Sequence, residues 1–89
     1  MSARRFIVRG RVQGVNFRAT AAHEAQRLRL SGRIRNREDG AVEAEAEGAD
    51  EALAKFEAWL HRGPSHAQVT SVDAEPLPGE PRYRGFSIG

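Results

Sequence analysis

Charged and uncharged residues alternate in two neighbouring segments, residues 32–37 and residues 41–47. Every second residue is an arginine in the first segment and a glutamate in the second. Alternation with a period of two is typical of β-strands, because successive side chains point to opposite faces of a sheet. The two segments therefore predict two strands, joined by the short turn Glu38-Asp39-Gly40.

The parity of the two patterns selects the turn. A two-residue Asp-Gly loop would place Arg35 opposite Ala44 and mix the two faces. A three-residue loop with Gly40 in the left-handed conformation instead pairs Arg35 with Glu43. Ile34 then faces Ala44, and a row of arginines faces a row of glutamates, each pair contributing about 0.2–1 kcal/mol.

The formal charge is divided unevenly along the chain. Residues 1–37 contain ten arginines and one acid, whereas residues 38–89 contain eleven acids and four basic residues. Such a basic half is compatible with an anionic partner, including nucleic acid. The alternative is that the basic and acidic parts of the chain interleave in the fold and neutralise each other. We favour this alternative because charge runs usually lie on solvated faces.

A strand and a helix precede the hairpin. Residues 5–12 alternate as a strand, and an apolar stripe with helical spacing runs from Phe17 to about Leu30. Asn16 is a candidate N-cap for this helix, and Ser31-Gly32 a candidate end.

A helix and two strands follow the hairpin. Residues 50–61 form the predicted helix, capped by Asp50 and ended by Gly63-Pro64. Residues 68–75 alternate as a strand, residues 83–88 form a short last strand, and the loop between them contains Pro76, Pro78 and Pro81.

The element order β-α-β-β-α-β, with a terminal edge strand, predicts an α+β protein of the ferredoxin-like sandwich type. We expect a single domain over residues 1–89, with a mostly antiparallel sheet and two helices on one face. In such a fold the strand at residues 32–37 can lie beside the first strand.

Several function classes are disfavoured by composition. The chain contains no cysteine, which excludes disulfides and thiolate chemistry. No signal peptide and no apolar run of about 20 residues for a membrane helix is present, so we expect a cytoplasmic protein. The spacing of His23, His61 and His66 matches no metal-ligand pair, and we expect no metal.

The segment from Gly10 to Arg18 has the composition of a phosphate-binding loop. Glycines allow a backbone to approach an oxyanion, and successive N–H groups at a helix start form an anion-binding concavity. Arg18 adds a permanently charged, planar fork. Asn36 is the second candidate, because its strand parity places it on the apolar face with Ile34. A buried amide there needs a partner, either the nearby turn or a bound water or substrate oxygen.

Three motifs carry a resemblance to a known family: Gly-Arg-Val-Gln-Gly-Val-x-Phe-Arg from Gly10, Gly-x-Ile-Arg-Asn-Arg-x-Asp-Gly-x-Val-Glu from Gly32, and Gly-Pro-x-x-Ala-x-Val from Gly63. In this order and spacing, the chain resembles the acylphosphatase family from Phe6 to Ile88. The resemblance implies a ferredoxin-like fold and hydrolysis of the carboxyl-phosphate bond of acyl phosphates, without metal, cofactor or covalent intermediate.

The resemblance also implies roles for individual residues. The phosphoryl group would be bound by the loop residues Gln13, Gly14, Val15, Asn16, Phe17 and Arg18. Arg18 and Asn36 would be the catalytic residues, with Asn36 orienting the attacking water. Inorganic phosphate would be a product inhibitor, and we expect a monomer. Two positions depart from the family pattern: Asn16, often glycine or a bulky aromatic residue, and Arg33, commonly tryptophan.

Two other classes remain open on the sequence alone. A nucleic-acid-binding ferredoxin-like module could use Arg9, Arg11, Arg33, Arg35 and Arg37 to contact a backbone. The first and third predicted strands lack the exposed aromatic residues that stack on bases, which argues against this alternative. A phosphate-sensing domain without turnover is the other alternative.

Overall fold

The computed structural model describes residues 1–78 and 82–89. Five strands form one sheet in the order β4-β1-β3-β2-β5, and two helices pack on one of its faces. This is the predicted α+β ferredoxin-like sandwich with its additional edge strand. In chain order the elements are β1 (Ser2–Arg11), α1 (Phe17–Arg27), β2 (Ser31–Asn36), β3 (Val42–Gly48), α2 (Asp50–Arg62), β4 (Gln68–Leu77) and β5 (Phe86–Ile88).

The strand directions bring several element ends to one edge of the sheet. Both β1 and β2 pair antiparallel with β3, which lies between them, and β5 pairs parallel with β2. The expectation that β2 lies beside β1 is therefore wrong, because the tight β2–β3 hairpin places β3 next to β1. The ends of β1, β2 and β5 and the start of α1 nevertheless meet at the same edge, which we call the site edge.

The β2–β3 hairpin has the predicted register. Ile34 pairs with Ala44 and Arg35 with Glu43, and Gly40 is left-handed with φ 91°. The Asp39 carboxylate accepts a hydrogen bond of 3.0 Å from the Ala41 N–H, which stabilises the turn. The strand parity therefore selected the correct three-residue loop.

The end of α1 was predicted incorrectly. The helix ends at Arg27, and Ser31 and Gly32 already belong to β2. Arg29 adopts the left-handed conformation with φ 60°, and the Leu30 N–H donates to the Ala25 carbonyl at 2.9 Å. An arginine thus occupies a position where glycine is usual, and the sequence carries no signal for it.

The predicted helix caps also differ from the structure. Asn16 does occupy the N-cap position of α1, but at φ 62° its side chain makes no capping hydrogen bond. Ala49, rather than Asp50, is the N-cap of α2, and Asp50 is the first helical residue. A carboxylate there still interacts favourably with the helix dipole. The predicted end of α2 at Gly63 is confirmed.

The boundaries of all five strands differ from the prediction, by one residue at each end in β2 and β3 and by more in β1, β4 and β5. β1 begins at Ser2 and ends at Arg11, and β4 continues through Pro76 to Leu77. Proline is tolerated there because β4 is an edge strand. β5 is only three residues long. Pro78 follows β4 as predicted, whereas Pro81 lies outside the described residues.

The apolar faces of the sheet and of both helices meet in one core. Phe56 of α2 packs edge-on against Phe6 of β1 and Phe86 of β5, with ring centroids 5.8 and 5.9 Å apart. Phe17 is buried at the start of α1, with its ring centroid 5.7 Å from that of Trp59. Neither α1 nor α2, the helices of the described chain, has the length and apolar character needed to cross a membrane.

Candidate active site

A cavity of about 370 Å³ opens at the site edge, beside the β1–α1 loop (residues 12–16). It contains both side chains that were predicted to act on substrate, Arg18 from α1 and Asn36 from the end of β2. The resemblance placed six residues around the phosphoryl group, and four of them line this cavity: Gly14, Asn16, Phe17 and Arg18. The remaining lining residues are Val12, Ala19, Asn36 and Ile88.

Two left-handed residues shape the β1–α1 loop. Gly14 has φ 76° and Asn16 has φ 62°. A Cβ atom on Gly14 would meet nothing within 4 Å, so the space above this backbone is open. Backbone turns of this kind direct N–H groups into a shared concavity that suits an anion. Because Asn16 provides no side-chain cap, its side chain does not occupy the first N–H groups of α1.

Gly10, the other glycine of the predicted loop, has a different role. It lies within β1, at a register shift against β4. A Cβ atom at this position would stand 2.1 Å from the Gln68 carbonyl oxygen. Gly10 therefore permits close approach of two strands rather than of a ligand.

Arg18 presents a guanidinium that forms no ion pair with an aspartate or glutamate side chain among the described residues. Its Nη1 donates a hydrogen bond of 2.9 Å to the main-chain oxygen of Gly89, directly after β5. The first turn of α1 contains no acidic residue, and no ion pair within residues 1–78 and 82–89 includes Arg18. A cation at a cavity wall without an Asp or Glu partner attracts a small anion.

Asn36 differs in exposure from the expectation. It shares the parity of Ile34, as predicted, but it is exposed rather than buried. The reason is that β2 ends at this residue, beyond the cover of the helices. Asn36 lines the cavity, and because it is exposed its amide needs no partner within the protein.

The other two predicted loop residues do not line this cavity. Val15 packs against the core and lines a neighbouring cavity. The Gln13 side chain is turned toward the β2–β3 turn, where its Nε2 donates to the carbonyl oxygens of Arg37 at 2.8 Å and Ala41 at 3.0 Å. The Gln13 amide is thus engaged by the protein, and a phosphate contact at this position could come only from its main chain.

A second cavity, of about 710 Å³, adjoins the first. Gly14 and Asn16 line both, so the β1–α1 loop forms the wall between them. The other side of the second cavity is formed by Arg11 at the end of β1, Gln68 at the start of β4, and Ser65, His66 and Ala67 before it. Sequence reasoning did not identify this cavity, because its walls are distant in the chain.

The open face of the sheet, opposite the helices, carries the paired charges predicted for the hairpin. Glu43 lies 3.3 Å from Arg35 and 3.1 Å from Arg37, and Glu45 lies 3.0 Å from Arg5. The glutamate row is 5–7% exposed although it is charged. Contrary to the expectation of an arginine partner throughout, Glu47 accepts hydrogen bonds from the main-chain N–H groups of residues 82 and 83.

Arginine contacts on this face bear on the nucleic-acid alternative. Five arginines of the open face lie within 4.0 Å of a carboxylate: Arg5, Arg9, Arg33, Arg35 and Arg37. Arg11 has no such partner among the described residues. The two oppositely charged parts of the chain therefore interleave, as favoured from the sequence. A face neutralised in this way has little attraction for a nucleic-acid backbone.

Glu45 is the most connected carboxylate of the open face. Burial alone would raise its pKa, but hydrogen bonds from the Tyr83 hydroxyl and the Arg5 guanidinium outweigh burial and hold the pKa below its usual value. Burial of the Tyr83 hydroxyl, together with its hydrogen bond to Glu45, raises the pKa of Tyr83. These groups stabilise the fold and lie away from the first cavity.

The structure adds two site residues that the sequence did not indicate. Ile88 lines the first cavity, and Gly89 accepts the Arg18 hydrogen bond. Both follow from the parallel pairing of β5 with β2, which carries the end of β5 to the site edge. No local motif marks such a long-range contact. Within the described residues, no group of three or more histidines and carboxylates is arranged to hold a metal ion.

Fold and cavity together define a ferredoxin-like α+β sandwich with an arginine and an amide at one cavity beside the β1–α1 loop. The sequence model of the acylphosphatase family matches residues 4–88. The chain therefore belongs to the acylphosphatase family, and it is an enzyme of that class.

Individual relatives support this assignment over nearly the whole chain. An acylphosphatase of Roseiflexus sp. (strain RS-1) is 47% identical over 88 residues, which are 99% of this chain and 95% of that protein. An acylphosphatase of Azoarcus sp. (strain BH72) is 50% identical over 82 residues, 89% of this chain and 84% of the other. The crystal structure of acylphosphatase from Bacillus subtilis matches with a TM-score of 0.96 at 38% identity, covering 100% of this chain and 99% of that one.

Proposed function

We propose that this protein hydrolyses the carboxyl-phosphate bond of acyl phosphates, giving a carboxylate and inorganic phosphate by direct attack of water on phosphorus. The observation that carries the proposal is a cavity beside the β1–α1 loop that both Arg18 and Asn36 line. Family membership supports the same reaction class.

The phosphoryl group binds to the β1–α1 loop and Arg18 in this proposal. Main-chain N–H groups of residues 14–18 donate to its oxygens, and the positive end of the α1 dipole adds to them. The Arg18 guanidinium donates a planar pair of hydrogen bonds to two of these oxygens. Its bond to Gly89 orients the side chain before substrate arrives. Charge that develops on the equatorial oxygens is then stabilised by preorganised donors.

Asn36 holds the attacking water. Its amide oxygen accepts a hydrogen bond from the water, and the water's oxygen attacks phosphorus as the bond to the acyl oxygen breaks. The water's proton passes to a phosphate oxygen, and the electron pair of the broken bond leaves on the carboxylate. A carboxylate is a good leaving group, so no strong general acid is required. The eight described lining residues include no Asp, Glu or His, which agrees with a reaction of this kind.

Steady-state hydrolysis of acetyl phosphate and benzoyl phosphate tests the proposal. We expect Arg18→Gln and Asn36→Ala each to lower kcat/KM by at least roughly 10²-fold, the usual loss for one preorganised donor. Arg62→Gln, an exposed arginine of α2 away from the cavity, is the matched control and retains wild-type rates. Circular dichroism should show an intact fold in all three variants. Full activity of Arg18→Gln would refute the site.

Competitive inhibition by inorganic phosphate belongs to the same proposal, because the product occupies the phosphoryl position. The monomeric state and the cytoplasmic location stay predictions.

A further inference from the structure

We infer that the second cavity receives the acyl group of the substrate and favours acyl groups that end in a carboxylate. The inference rests on the proposed hydrolysis of acyl phosphates, and it makes Arg11 a specificity-determining residue.

The direction of the reaction points to this cavity. In phosphoryl transfer the attacking and leaving oxygens lie roughly in line on opposite sides of phosphorus. Asn36, which holds the water in the proposed reaction, stands at the end of β2. Along the site edge the order is β4-β1-β3-β2-β5, so the end of β1 and the start of β4 lie on one side of this edge and Asn36, at the end of β2, lies on the other. An acyl oxygen that leaves away from the water therefore leaves toward β1 and β4.

The second cavity lies at that place. Arg11 and Gln68, which pair across β1 and β4, form part of its lining. It is separated from the phosphoryl position only by Gly14 and Asn16, which line both cavities. An acyl chain crossing this loop would enter a space of about 710 Å³.

The charge of the cavity indicates what its occupant carries. Among the eight lining residues of the described chain, Arg11 has a guanidinium and His66 an imidazole, and none has a carboxylate. The neighbouring arginines of the open face are neutralised by Glu43, Glu45, Asp39 and Asp73, whereas no ion pair within residues 1–78 and 82–89 includes Arg11.

Polar donors complete the recognition of an anion. Ser65, His66 and Gln68 can donate hydrogen bonds from the wall that faces the loop. A carboxylate at the far end of a short acyl chain would meet these donors and the exposed guanidinium of Arg11. An uncharged acyl chain of the same length would gain none of these contacts.

A pair of substrates that differ in one charge tests the inference. Succinyl phosphate carries a terminal carboxylate, and butanoyl phosphate has the same chain length without it. We expect the wild type to have the higher kcat/KM for succinyl phosphate, by roughly two- to five-fold, the range of an exposed ion pair. Arg11→Gln should reduce this ratio to about one, and 0.5 M salt should weaken it in the wild type. Arg84→Gln, an exposed arginine that lines neither cavity, should retain the wild-type ratio.

The possible results separate this inference from the proposed function. Hydrolysis of both substrates with a ratio of one in the wild type, or with the same ratio in Arg11→Gln, overturns the acyl-group site and leaves the proposed reaction standing. Hydrolysis of neither substrate by the wild type overturns the proposed reaction and the acyl-group site together.

Discussion

Arg18 and Asn36 come from distant parts of the chain, and in the proposed reaction they divide two tasks between a cation and a neutral amide. The Arg18 guanidinium is held by one hydrogen bond to Gly89 and pairs with no aspartate or glutamate side chain among the described residues. The exposed Asn36 amide brings no charge of its own to the same cavity. A neutral group is suited to the position, because a carboxylate would repel the phosphoryl oxygens.

The requirement for a neutral group at Asn36 predicts the behaviour of Asn36→Asp. At pH 7 its carboxylate repels the bound phosphoryl group, and we expect kcat/KM to fall by roughly 10²-fold or more. A neighbouring phosphate raises the pKa of such a carboxyl, so part of the loss should be recovered as the pH falls below about 5. The measurement is the pH profile of kcat/KM for Asn36→Asp relative to Asn36→Ala. A flat ratio across this range would argue against repulsion as the cause.

Residue-scale reasoning from sequence selected positions that a local motif marks. The β1–α1 loop, Arg18 and Asn36 could each be selected from composition, parity and family resemblance, and the structure places Arg18 and Asn36 at one cavity. Ile88 and Gly89 could not be selected, since their proximity depends on the pairing of β5 with β2. The capping function expected of Asn16 also failed, because its left-handed backbone leaves the side chain without a capping bond.

At the scale of elements, the β1–α1 loop and the β2–β3 hairpin are joined through Gln13. One amide group donates to two carbonyl oxygens, those of Arg37 at 2.8 Å and Ala41 at 3.0 Å. Arg37 directly follows Asn36 in the chain. The Gln13 side chain therefore links the β1–α1 loop to the hairpin directly after Asn36.

This contact predicts that Gln13 is a positioning residue that acts through Asn36. Gln13→Met keeps the length of the side chain but removes both donors. Because misplacement by about 1 Å can cost on the order of 10²-fold, we expect kcat to fall by roughly 10- to 100-fold. KM and inhibition by inorganic phosphate should change much less, since the Gln13 amide makes no contact with the phosphoryl position.

A double-mutant cycle distinguishes a positioning role of Gln13 from a merely structural one, because only a positioning role makes the losses in kcat non-additive. In the Asn36→Ala background, Gln13→Met should add little further loss, because the group that it positions is already absent. Gln26→Met is the matched control: the Gln26 amide donates to the Phe86 carbonyl, away from the hairpin. Additive losses in the cycle would show that Gln13 does not act through Asn36.

Element-scale patterns explain which boundaries could be read from the sequence. The β2–β3 register was predictable because two strict alternations and a glycine-containing turn constrain each other. The end of α1 was not, because Arg29 adopts a conformation that is usual for glycine. β4 extends through Pro76 because an edge strand does not need the missing N–H, and only the sheet order reveals that it is an edge.

For the whole molecule, the open face of the sheet couples stability to pH. Glu45 is 5% exposed and accepts hydrogen bonds from Arg5 and Tyr83. Its folded pKa is held below the usual value of about 4.5. A carboxyl with a lowered folded pKa contributes stability that is fully present above its unfolded pKa and is lost as the pH falls through the folded pKa.

Glu45→Gln should therefore destabilise the protein in a pH-dependent manner. At pH 7 we expect the free energy of unfolding to fall by roughly 1–3 kcal/mol, because Arg5 and Arg33 lose a buried partner. The difference from the wild type should shrink as the pH falls below about 4. Urea unfolding at several pH values measures both effects.

Glu75→Gln, which removes the exposed partner of Arg5, is the control and should change stability by less than about 1 kcal/mol. A pH-independent loss in Glu45→Gln would contradict the explanation.

The overall architecture could be predicted from the order and periodicity of the elements. The pairing of arginines with glutamates on the open face could be predicted from the alternation of charged residues in β2 and β3. The position of β3 between β1 and β2 was missed, although it determines which strand ends share the site edge. The second cavity was missed for a related reason: Arg11 and Ser65 come together only when β4 pairs with β1.

Binding of a small dianion by the β1–α1 loop and Arg18, next to Asn36, is the central claim. Titration with inorganic phosphate, followed through the NMR signals of backbone and side-chain N–H groups, tests it most directly. We predict that the N–H signals of residues 14–18, the Arg18 guanidinium and the Asn36 amide shift along one saturation curve, and that Arg18→Gln abolishes the shifts. Shifts confined to the arginines of the open face, or an unperturbed loop at saturating phosphate, would contradict the account.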